Sequence, residues 1–122
     1  MTVLVVAGVG LLGGAGAIAR FLLDGAVASR VGSAFPCGTL AVNLTGALAL
    51  GVLHGAGVGG DALRLAGTGL IGAYTTFSTW TLESHRLGEA GRLRLGAANV
   101  LVSLALGLAC VWLGDRLGAA LW

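Results

Sequence analysis

Charge is what this chain has least of. Asp, Glu, Lys and Arg make up 10% of its 122 residues, whereas a soluble domain carries about 25%. So little charge cannot coat a globule in water, which excludes a soluble enzyme or cytosolic binding domain. Lysine is absent: all seven basic residues are arginine, and the net charge of +2 is too weak a balance for a nucleic-acid binder. Proline occurs once, as Pro36. Cysteine occurs twice, and Cys37 and Cys110 each lie in apolar surroundings, which reads as small buried hydrophobes in place of a disulfide or metal pair. The segment Met1 to Val6 lacks a basic region. The apolar run behind it reaches Arg20 without a clear cleavage site, so it is read as a retained helix and not a signal peptide.

The rest of the chain is apolar and small. Hydrophobic residues are 57% of the chain and the mean hydropathy is +0.96, the profile of an integral membrane protein. At about 20 residues per span, the length fits about four helices, with no room for a soluble domain. Glycine, at 23 residues, is too abundant for soluble helices. In lipid it lets backbones approach closely, so the composition predicts tight helix packing.

Hydropathy and turn residues divide the chain into four spans. The first runs from about Thr2 to Leu23, with a polar connection from Asp24 to Phe35 behind it. Pro36 is placed to open the second, which runs to about His54. Gly55 to Gly60 is a turn, and Asp61 is an expected N-cap for a third span reaching about Leu87. Gly88 to Arg94 is the most charged loop, and the fourth span runs from about Leu95 to Leu117. His54, Trp112 and Trp122 are placed at membrane interfaces. Four spans put both termini on one side, with Arg64 and Arg116. The other side holds Arg20, Arg30, Arg86, Arg92 and Arg94. That mildly favours termini outside, and the bias shrinks if Arg20 and Arg86 lie within the bundle.

Gly8-Val9-Gly10-Leu11-Leu12-Gly13 matches the G-x-G-x-x-G pattern of dinucleotide sites. That motif needs a strand, a βαβ unit and an acid about 20 residues on. Here the apolar run continues through Leu23, so glycines such as Gly10 and Gly14 are read as a smooth packing face. Arg20 is either an interfacial arginine or a fixed positive charge at a vestibule that draws in anions. Thr39 and Asn43, four apart in the second span, share a face. The Asn43 amide either joins helices or donates to a dehydrated anion.

The third span carries the sharpest signal. Gly72-Ala73-Tyr74-Thr75-Thr76-Phe77-Ser78-Thr79-Trp80 places four small hydroxyl side chains and the large aromatics Phe77 and Trp80 inside an apolar run. Polar groups at that depth need a partner, an ion or water. Gly72 with Thr75 and Thr76 behind it weakens the helix. A broken membrane helix frees carbonyls that suit a small hard cation such as Na⁺. Phe77 and Trp80 share a face, and ring edges can line an anion path. Glu83 lies one turn on, with pairing to an arginine as its plain alternative. Asn99, Ser103 and Gly107 form one row of the fourth span.

In this order and over nearly the whole chain, these motifs resemble the small bacterial Fluc/CrcB-type fluoride channels. Gly13 to Ala17 leading to Arg20, Gly38-Thr39-Leu40 with Asn43 and Gly46, and Gly72 through Thr79 to Glu83 carry the likeness. The resemblance implies an all-α membrane protein of four transmembrane helices with a break in the third. It implies an antiparallel, dual-topology dimer in the bacterial plasma membrane, with two pores for passive export of fluoride. It also implies a structural Na⁺ held by the carbonyls of Gly72 and Thr75. Phe77, Asn43, Thr39, Thr76, Ser103 and Glu83 are implied along the fluoride path, and Arg20 at the vestibule. Trp80 stands where a second pore Phe is usual, Asn99 where a Tyr is usual, and Gly107 where a hydroxyl is common. These departures keep open a pairing of two different subunits beside the homodimer. A proton-coupled multidrug transporter is a further rival, but it needs a carboxylate in the first span, and none precedes Asp24. No step needs a bond made or broken, so no enzyme is expected.

Overall fold

The computed structural model describes residues 1–122, and every regular element in it is helical. Helix α1 spans Val3–Val31, with the Thr2 side chain accepting from the Val5 N–H at 3.3 Å as its cap. The polar connection expected from Asp24 onward is therefore mostly helix. Ala26, Val27 and Ala28 continue the turn, Ser29 satisfies its hydroxyl on the Ala26 carbonyl, and α1 stops only at Gly32, whose φ of +82° few other residues adopt. Asp24 thus lies inside α1, its carboxylate packed where a Cβ on Gly38 would stand.

Helix α2 spans Cys37–Gly55, with Pro36 at its cap position, one residue before the expected first turn. The third span is assembled from pieces. Helix α3 (Gly60–Leu63) runs into a π-helical segment, Arg64–Ile71, and then α4 (Gly72–Tyr74). Three extended or turning residues separate it from α5 (Ser78–Glu89). Asp61 is not the cap: Gly59 takes that position, and Asp61 pairs with Arg64 at 2.7 Å. Helix α6 spans Leu93–Leu121, so the loop before it shrinks to a turn around Gly91 (φ +76°).

Helices α1, α2 and α6 are each long and apolar enough to cross a membrane, and the interrupted α3-to-α5 run packs along α1 and against α6. At about 1.5 Å per residue, the 29 residues of α1 reach about 43 Å. That exceeds a hydrocarbon core of about 30 Å and leaves room for tilt or overhang. Packing is backbone against backbone. A Cβ on Gly118 would stand 2.8 Å from the Ala56 nitrogen, and one on Gly114 2.9 Å from that of Val52; Gly51 and Gly55 are equally tight against α6. On α1 the packing glycines are Gly8, Gly13 and Gly16, which meet Leu65, Gly69 and Leu70. Gly10 and Gly14, the expected packing face, meet nothing within 4 Å. They point away from the third span because a helical face repeats every three or four residues. Cys37 and Cys110 are free and half-buried.

Candidate functional site

The break lies at Thr75–Phe77, at the far end of the stretch expected to be weak, Gly72 with Thr75 and Thr76. Gly72 keeps helical angles (φ −60°, ψ −39°), and Thr75 turns extended (φ −80°, ψ 162°). Hydroxyl chemistry explains why the ladder breaks at the threonines and not at Gly72 itself. Thr75 turns its hydroxyl back to the Ile71 carbonyl at 3.0 Å. Thr76 Oγ1 accepts the Thr79 N–H at 3.2 Å, satisfying a donor in the first turn of α5.

Asn43 holds the gap closed. Its Nδ2 donates to the Thr76 carbonyl and its Oδ1 accepts the Thr76 N–H, both at 2.8 Å. One amide therefore replaces both ladder bonds that the break costs Thr76. Arg20 reaches the same turn and donates from Nε to the Ala73 carbonyl at 3.4 Å, so it is neither a free interfacial arginine nor an isolated charge.

The broken ladder also releases acceptors. Thr75 N–H returns to Ile71 and Thr76 N–H goes to Asn43, so the Gly72 carbonyl loses its partner four residues on. Thr79 N–H goes to Thr76 Oγ1, so the Thr75 carbonyl loses its own. No cluster of His, Cys, Asp and Glu is built to hold a metal. A hard cation at this place would therefore rely on carbonyl oxygens, and the two freed carbonyls fit that chemistry.

These residues border an open groove of about 380 Å³, in which Asn43, Gly72, Thr75, Thr76, Phe77, Trp80 and Ser103 come together. Phe77 is 73% exposed there, although it is a large aromatic. Its ring meets Trp80 edge-on, with centroids 5.5 Å apart. Behind the break, a small, partly open cavity of about 10 Å³ joins Arg20, Thr39 and Thr76 to Asp24 and Thr79. Thr39 is only 2% exposed, and its hydroxyl faces the Glu83 carboxylate just outside strict hydrogen-bond geometry. Thr76 borders both spaces.

Two expected residues line neither of these spaces. Asn99 is 1% exposed and faces α5, donating from Nδ2 to Ser84 Oγ at 2.8 Å while its carbonyl accepts Trp80 Nε1 at 3.2 Å. Its link to Ser103 is long, at 3.5 Å. Glu83 lies toward the end of the bundle, its carboxylate facing the Thr39 hydroxyl, and it forms no arginine pair within 4.0 Å. Three contributors escaped the sequence reading: Asp24, Ser84, and Tyr74, whose hydroxyl meets Thr45 Oγ1 at 2.7 Å. Ser84, one turn after Trp80, was signalled only by that spacing.

Three helices apolar enough to cross a membrane, beside an interrupted helical run whose break is clamped by an amide, define a multi-pass membrane protein. The sequence places it further. Residues 7–115 match the family model described as CrcB-like protein, Camphor Resistance (CrcB), and the chain belongs to that family. It is 53% identical over 116 residues, 95% of each chain, to the fluoride-specific ion channel FluC 2 of Mycolicibacterium paratuberculosis. The protein of the same name from Mycobacterium tuberculosis is 54% identical over 115 residues, 94% of this chain and 91% of the relative. The fluoride-specific ion channel FluC 1 of Rubrobacter xylanophilus is 49% identical over 107 residues, 87% of this chain and 86% of the relative. The chain is a multi-pass protein of the bacterial cell membrane.

Proposed function

We propose that this chain is the subunit of a fluoride-selective channel that passively releases cytoplasmic fluoride. The observation that carries it is the groove at the break, where hydroxyls, an amide and an exposed phenyl ring share one open face. The names of the relatives supply the ion. Fluoride leaves water only if the pore returns strong donors. Asn43 has a second N–H beyond the one given to Thr76, and the hydroxyls of Thr39, Thr76 and Ser103 can turn to donate. Phe77 and Trp80 offer ring edges, which are positive. Arg20 supplies fixed charge beside the path, and Glu83 and Asn99 flank it. Conduction makes and breaks no bond, so no catalytic group is needed.

Only 12 of 122 residues are buried in one subunit, and polar Thr75, Thr76 and Ser103 cannot face lipid from an open groove. A second, antiparallel copy of the same chain covers that face in our reading. A Na⁺ between the copies, held by the Gly72 and Thr75 carbonyls, would supply positive charge and join the two breaks. The Asp24 carboxylate, though inside α1, sits near its end against α2 and is poorly placed to shuttle protons for a multidrug exchanger.

The deciding experiment reconstitutes the purified chain alone in liposomes and measures fluoride and chloride efflux under a K⁺ diffusion potential. Fluoride flux far above chloride is expected. A well-folded dimer without fluoride flux would sink the homodimeric channel and point to a missing, different subunit.

A further inference from the structure

A second cavity, of about 370 Å³, opens where the α1–α2 connection meets the end of α5 and the turn into α6. Ser33 and Pro36 form one wall, Glu83, Arg86 and Leu87 the other, and Arg92 stands at the rim. Neither arginine forms an ion pair within 4.0 Å, although Glu83 lines the same cavity and attracts Arg86 across it. Helix α2 begins behind Pro36, which lines the cavity, while its first turn packs at Gly38 on the Asp24 carboxylate. Glu83 stands six residues before the end of α5, about 9 Å along its axis, and forms the inner wall.

The chemistry is that of one phosphate with hydroxyls attached. Two guanidinium groups bordering one cavity suit a phosphate oxygen fork. The inward carboxylate accepts O–H donors and repels a second strong negative charge. Leu87 and Pro36 offer apolar surface to a glycerol carbon chain. The cavity also sits at the ends of its helices, the level at which a bilayer places its headgroups. We propose that it binds the glycerophosphate headgroup of an anionic bilayer lipid, with the phosphate between Arg86 and Arg92 and the hydroxyls toward Glu83. This lipid site goes beyond ion conduction and stands or falls separately from it.

Native mass spectrometry of the full chain with phosphatidylglycerol or phosphatidylcholine tests it. Wild type should retain phosphatidylglycerol and not phosphatidylcholine, and each neutralised arginine should weaken retention about fivefold. Arg86→Gln/Arg92→Gln should lose the lipid, while Arg30→Gln/Arg94→Gln, at the same end but outside the cavity, should keep it. Equal losses in both double variants would overturn the site in favour of diffuse surface charge. Binding of inorganic phosphate that displaces the lipid equally well would overturn the lipid as ligand. Melting curves without lipid check that the variants fold. Arg92→Gln alone, in the turn before α6, tests the rim without touching a helix interior.

Discussion

Helix α2 meets its neighbours in two unlike ways. Near its end, Gly51 and Gly55 press against α6 at Gly114 and Gly118, with no side chain between the backbones. Near its middle, Asn43 reaches across to the break and hydrogen-bonds both polar groups of Thr76. The seam is held by an absence, the missing Cβ, and the break by one particular amide. The seam tolerates no added atom. The break tolerates a gap in the ladder because a side chain fills its hydrogen bonds. Rigidity on one side lets polar irregularity persist on the other, since irregular backbone survives at membrane depth only when protein surrounds it.

The strongest way to break this contrast is to fill the seam. Gly114→Leu would drive a side chain into the Leu48 carbonyl and the Val52 amide. Overpacking commonly costs about 1–3 kcal/mol, and more where backbone must move. The expected result is loss of monodisperse folded protein on size exclusion, with helical signal melting early. A variant with wild-type melting would show that the seam gives way.

Next in size is the clamp. Asn43→Ala removes both bonds to Thr76, leaving a part-buried N–H and C=O that each cost up to roughly 1–3 kcal/mol without partners. Fluoride efflux should fall at least about tenfold, and hydrogen exchange at the Thr76 amide should rise by a similar factor. The protein should still fold, because the seam does not involve Asn43. Lost flux with unchanged exchange at Thr76 would show that Asn43 acts on the ion and not as the clamp.

The two regions were legible to different degrees. Asn43, the hydroxyl run and the broken third span stand out in the sequence because polar residues are rare in it. The seam was legible only as composition: 23 glycines predict close packing but not which ones pack. Gly10 and Gly14 look like a packing face and meet nothing, while Gly8, Gly13 and Gly16 carry α1 against the third span. The π-helical turn was hidden, since one extra residue per turn leaves no mark in hydropathy. Asp24 was misplaced for the opposite reason. Its charge reads as a loop, yet α1 runs on through it because Gly38 leaves space for its carboxylate.

Trp80 lies between the two regions in character, and its replacement should have a smaller effect. Its indole N–H donates to the Asn99 carbonyl, and its ring meets the edge of Phe77. Trp80→Phe deletes one hydrogen bond, worth about 1 kcal/mol, and should lower melting accordingly. Fluoride flux should change less than with Asn43→Ala. A rise would mark the indole as an obstruction at the groove.

The smallest effect belongs to Gly107, which shares α6 with Gly114. Nothing lies within 4 Å of a Cβ built there, against the backbone overlap at Gly114. Gly107→Ala should leave melting within about 0.5 kcal/mol of wild type, or raise it slightly through helix propensity. Fluoride efflux should stay within about twofold, the factor that such a small energy allows. Two glycines seven residues apart on one helix would then differ from no effect to loss of the fold, which places the constraint in the α2–α6 contact and not in glycine's presence in α6. A dimer weakened by Gly107→Ala, with the subunit still folded, would instead place this open row in the contact between two copies.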